Sequence, residues 1–105
     1  MSNNFDKVFT KGTLVATLAT PTDAVDPRVQ IWAGTLSKED WDRCPQHIYV
    51  CQFIDDNLYG QVIDTHSISY RGRTYFLVKI LVAVEGHTKV CWLFANNLKT
   101  RKKAA

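Results

Sequence analysis

Arg73 to Val84 reads RTYFLVKILVAV, Glu85-Gly86 follows, and His87 to Ala95 reads HTKVCWLFA. Two β-rich runs around a dipeptide ending in Gly are the signal of a hairpin with a two-residue turn. Such a turn pairs Val84 with His87, and therefore Val82 with Lys89, Ile80 with Cys91 and Val78 with Leu93. Side chains alternate between faces along a strand. One face then carries Phe76, Val78, Ile80, Val82, Cys91 and Leu93; the other carries Tyr75, Leu77, Leu81, Ala83, Val90, Trp92 and Phe94. An open antiparallel sheet usually buries one face and wets the other. Here both faces are apolar, with only Lys79 and Lys89 charged inside the runs.

The rest of the chain reads as further strands. Thr13–Ala19 follows Gly12, and Val29–Leu36 follows the proline loop 21–27 (PTDAVDP). Ser37 caps a short helical turn, Lys38–Arg43, whose Glu39 and Asp40 suit the positive end of a helix dipole. Pro45 ends that turn. A third strand runs His47–Ile54, and Asp55-Asp56-Asn57 turns the chain. Tyr59–Asp64 and Ser67–Tyr70 read as two short strands, followed by a turn at Arg71-Gly72. The pattern predicts an all-β fold: a small barrel or strongly bent antiparallel sheet with one short helical turn. The hairpin followed by Trp92, Phe94 and Leu98 resembles the last strands of SH3-like small barrels, over the final third of the chain. That resemblance implies architecture alone, since such barrels host many functions.

At 105 residues, with 46% hydrophobic and 22% charged, the chain has the length and composition of one globular domain. Long-range disorder and collagen-like structure are excluded by the same figures. No apolar run approaches the roughly 18–20 residues of a membrane helix, so no membrane partner is expected. The formal charge is +3, but Lys99, Arg101, Lys102 and Lys103 account for four of the 13 basic residues. Residues 1–98 hold nine basic and ten acidic groups, so the expected body, 1–98, is near neutral and 99–105 reads as a basic, flexible tail. Three cysteines, Cys44, Cys51 and Cys91, with no export signal at the N-terminus, imply free thiols and a cytoplasmic protein.

Catalytic and metal chemistry find little support. Cys44/His47 and His87/Cys91 supply a zinc-like ligand count without zinc-like knuckle spacing, so no metal and no cofactor is expected. Asp64-Thr65-His66-Ser67 clusters triad residue types, but neighbours on a strand face opposite ways. Asp55/Asp56 and Asp40/Asp42 lie where turns favour Asp for backbone reasons. No catalytic residue is assigned.

Two binding readings remain, with a small-molecule site or enzyme as the third. The first is a self-associating module that recognises a protein partner. The two-faced hairpin needs a cover, a second copy is the commonest one, and 21–28 and 38–43 are too short and polar to supply it alone. Its expected contacts are Trp41, Tyr75, Leu77, Leu81 and Phe94; Trp41 stands alone among charged neighbours, as a partner anchor or as a lid over the barrel mouth. The second is nucleic-acid binding, through Tyr70, Arg71, Arg73 and Tyr75 at a hairpin tip, extended by Lys99, Arg101, Lys102 and Lys103. Guanidinium groups grip phosphate and aromatic rings stack on bases.

Overall fold

The computed structural model describes residues 9–19, 28–43 and 51–101. It contains β1 (Leu14–Thr17), β2 (Val29–Ala33), α1 (Lys38–Arg43), β3 (Gln52–Ile54), β4 (Tyr59–Tyr70), β5 (Arg73–Val84), β6 (His87–Phe94), a 3₁₀ turn (Ala95–Asn97) and β7 (Leu98–Thr100). The strands form one antiparallel sheet in the order β3-β2-β6-β5-β4-β1-β7, curled into a half-barrel with β3 and β7 at its edges. The all-β, bent-sheet expectation holds.

The hairpin register is the one the sequence implies: Val84 opposite His87, Val82 opposite Lys89, Ile80 opposite Cys91 and Val78 opposite Leu93. Both long hairpins turn on two residues with positive φ, Arg71-Gly72 (51° and 74°) and Glu85-Gly86 (50° and 80°). Positive φ at both central positions marks the type I′ turn, whose twist matches that of the flanking strands.

The concave face encloses the main core. Val15, Val29, Ile31, Ile54, Val62, Val78, Ile80, Val82, Cys91, Leu93 and Leu98 meet there, with Phe9 beside them. Thr17, also buried, ties the turn before β4 to β1: its hydroxyl donates to the Asp55 carbonyl at 2.9 Å and accepts the Leu58 N–H at 2.8 Å.

Several boundaries differ from the sequence reading. Residues 59–70 form one strand rather than two, and the irregularity lies at Ile63. Val62 faces Ile80 and Asp64 faces Lys79, so Ile63 is an extra residue, a β-bulge. The second strand stops at Ala33 rather than Leu36. Gly34 follows it so close to Val90 that a Cβ there would lie 2.5 Å from the Val90 carbonyl oxygen. Lys99, expected in a tail, belongs to β7, where it faces Ala16 of β1. The helical turn is as expected, Lys38–Arg43. Ser37 Oγ accepts the Asp40 N–H at 3.1 Å, and Asp40 Oδ2 accepts the Ser37 N–H at 2.8 Å, a reciprocal cap. The proline loop 21–27, residues 47–50 of the expected third strand, Cys44 and Lys102–Lys103 lie outside the described residues.

Candidate interaction surface

The convex face of the sheet carries Tyr70, Arg73, Tyr75, Leu77, Leu81 and Phe94, and Trp41 packs onto it from the helix. Cross-strand rows define this face. Asp64, Lys79, Trp92 and Trp32 form the central row; His66, Leu77 and Phe94 form the next, followed by Ile68 with Tyr75 and by Tyr70 with Arg73 at the β4–β5 tip. On the other side of the central row lie Leu14, Gln61, Leu81 and Val90.

Helix α1 lies over the middle of this face. Trp41 enters an aromatic cluster, edge-on to Trp32 at 5.3 Å and to Trp92 at 6.4 Å between ring centroids. Trp32 meets Phe94 edge-on at 5.2 Å, and Leu77 and Ile68 complete the cluster. The Trp92 indole N–H donates to the Leu36 carbonyl at 2.9 Å. Two polar pairs join helix to sheet: Lys38 to Asp64 at 3.0 Å and Asp42 to His66 Nε2 at 2.9 Å. Burial pushes the Asp64 carboxyl up, but the Lys38 ammonium and the Thr65 N–H hold it below the usual carboxylate range.

This packing overturns two premises about the second face. Segment 38–43 covers much of it, because one tryptophan supplies more apolar area than a count of polar residues suggests. Trp41 is 3% exposed and Leu77 1%, so within one chain neither is presented to a partner; Trp41 is the lid. Tyr75 and Phe94 are half-buried, and Leu81 remains open.

The helix leaves two patches uncovered beside it, and Phe53 stands open at the β3 edge, 42% exposed. The first patch is a strip in which Tyr59 is 55%, Leu81 38% and Val90 37% exposed. Leu81 and Val90 are direct cross-strand partners. A shallow, open groove of about 270 Å³ runs along the strip between Leu14, Tyr59, Leu81, Ala83, Thr88 and Arg101. The Arg101 guanidinium stacks on Tyr59, 3.8 Å from the ring centroid. The second patch is the β4–β5 tip, where Tyr70, Arg73 and Tyr75 come together and Arg71 sits 5.2 Å from the Tyr70 centroid.

The structure does not join the tip to Lys99 and Arg101. Those two flank the opposite end of β4, beside Tyr59, roughly 35 Å from Tyr70 at about 3.3 Å per residue. Tyr59 and Val90 are the exposed strip residues that the sequence reading did not single out. Val90 had a signal, its place opposite Leu81; Tyr59 reaches the strip only through long-range pairing of β4 with β1 and β5.

The catalytic and metal candidates are dispersed. Asp64 and His66 share the convex face, but each binds the helix, and Ser67 points to the concave side. His87 and Cys91 lie on one strand roughly 13 Å apart, too far for one ion. Cys91 is buried and its thiol is pushed up to about 11, so it stays protonated at neutral pH. Among the described residues no group of three or more His, Cys, Asp or Glu is placed to hold a metal, and no helix is long and apolar enough to cross a membrane. No known family model matches this chain, and searches of curated proteins and of solved structures find nothing similar to it.

Proposed function

We propose that the protein is a small non-enzymatic binding module whose convex face recognises protein, with a second copy of the chain as its first partner. The observation that carries this reading is the strip of Tyr59, Leu81 and Val90, left open beside a helix that covers the middle of the face. Uncovered apolar residues in one contiguous patch favour association. A two-fold pairing would set one such strip against its copy. Lys99 and Arg101 border the strip on its β7 side. A reducing, cytoplasmic setting belongs to the same proposal, since Cys51 and Cys91 are free thiols.

Equilibrium sedimentation at micromolar concentration tests it. The expected mass is twice 12.0 kDa for the natural chain and 12.0 kDa for Leu81→Glu, whose carboxylate would stand in the middle of the strip. A natural chain that stays monomeric, or a Leu81→Glu chain that still dimerises, removes this reading.

A further inference from the structure

We infer that the β4–β5 tip is a separate site that takes single-stranded nucleic acid, with Arg71 and Arg73 on phosphates and Tyr70 and Tyr75 stacking on bases. Proximity is the first support. Tyr70 and Arg73 are cross-strand partners on the convex face, Tyr75 is in the next row, and its ring lies 6.0 Å from Phe94, so aromatic surface continues inward from the tip. Tyrosine and arginine planes are the sequence-tolerant stacking partners of unpaired bases.

Charge is the second. Residues 65–84 contain no Asp or Glu. Among the described residues neither Arg71 nor Arg73 is ion-paired; Arg71 rests on the Tyr70 ring. Asp42, the helix carboxylate placed two cross-strand rows from the tip, is engaged by His66.

Backbone conformation is the third. Arg71 has φ 51°, a left-handed position where a type I′ turn favours Asn, Asp or Gly. Glu85 takes the same conformation in the other hairpin, with φ 50°, so the conformation belongs to the turn type; here it sets a long cationic side chain at the hairpin end. The patch is confined to the end of one hairpin, Tyr70 to Tyr75. That footprint suits a short unpaired strand better than a duplex.

Fluorescence anisotropy with labelled oligothymidylate at low salt tests the site. The natural chain is expected to bind, and to bind a duplex of equal charge more weakly. Arg71→Ala/Arg73→Ala should fold normally, bind about tenfold more weakly, and show a salt slope shallower by about 1.4, at about 0.7 per lost phosphate contact on single strands. Tyr70→Ser should weaken binding by about tenfold with the slope unchanged, since it removes a stacking ring. Replacing Lys99, Arg101, Lys102 and Lys103 together by Ala isolates the C-terminal end; binding that vanishes there and survives the tip variant overturns the inference. So does absence of binding at low salt. Equal binding of polyphosphate or polyglutamate overturns it as well, for it would show charge without stacking. Leu81→Glu should bind oligothymidylate as the natural chain does, so this site and self-association succeed or fail separately.

Discussion

The concave and convex faces of the β5–β6 hairpin draw on alternate residues of the same two strands, yet they are buried by different means. The concave set, Val78, Ile80, Val82, Cys91 and Leu93, is enclosed because the sheet curls and brings β1, β2, β3 and β7 around it. Phe9, from the segment before β1, adds one ring to a core whose other side chains are mostly aliphatic. The convex set, Leu77, Trp92 and their neighbours, is buried by a six-residue helix that brings one large ring. Curvature buries the middle of a face across most of the strands, whereas a short helix buries only the area beneath it. The residues left at its margins are the candidate contacts.

The most severe test of this contrast is Trp92→Ala. If the convex cluster is a true second core, its loss should lower stability by about 3–5 kcal/mol, as much as Leu93→Ala on the concave side at about 2–5 kcal/mol. Denaturant unfolding of the two variants compares them directly; a Trp92 effect below about 1 kcal/mol would reduce the cluster to surface decoration.

Next in size is Gly60→Ala. A Cβ at Gly60 would lie 2.6 Å from the Leu81 carbonyl oxygen, so β4 and β5 must separate. Overpacking of this kind costs about 1–3 kcal/mol. It should loosen both faces, because those strands are common to both; thermal melting that shows no loss would argue against so close a strand approach.

Two tryptophans of the convex cluster, Trp41 and Trp92, sharpen the comparison further. Among the described residues the Trp41 indole N–H is buried without an acceptor, whereas that of Trp92 is bonded to Leu36. Trp41→Phe keeps an aromatic ring and removes an unmet donor, so it should cost less than Trp92→Phe, by about 1 kcal/mol. The reverse order would mean that the Trp41 donor finds a partner in solution. Ser37→Ala, which removes the helix cap, should cost about 1 kcal/mol and loosen the convex cluster alone. Tryptophan fluorescence would report it while amide exchange on the concave strands stayed unchanged.

The smallest effect concerns pH. Asp64 has a lowered folded-state pKa, so its pairing stabilises the fold above the ordinary carboxylate range. That contribution disappears as pH falls through the folded value. The pair with Lys38 is partly exposed, and Asp64→Asn should cost no more than about 0.5 kcal/mol at neutral pH. It should also flatten part of the acid limb of the stability curve. An unchanged acid limb would assign that limb to other carboxylates.

The hairpin was legible in the sequence down to its register, because turn and alternation are local. Ser37 and α1 were legible for the same reason, through capping chemistry. The strip was only half legible. Leu81 and Val90 follow from the hairpin, but Tyr59 depends on β4 meeting β1 some forty residues away in sequence. Trp41 illustrates the other limit. Its burial follows from where the helix lands, and no feature of KEDWDR says which row of the sheet receives it.

Ile63 faces no residue of β5, since Val62 and Asp64 occupy consecutive places opposite Ile80 and Lys79. A chain lacking it would keep each pairing and each facing intact. What it would lose is the extra coiling that an unmatched residue adds to a strand. The girth of the half-barrel thus hangs on a single surplus unit, and a one-residue deletion would alter the gauge of the vessel without rewriting its contents.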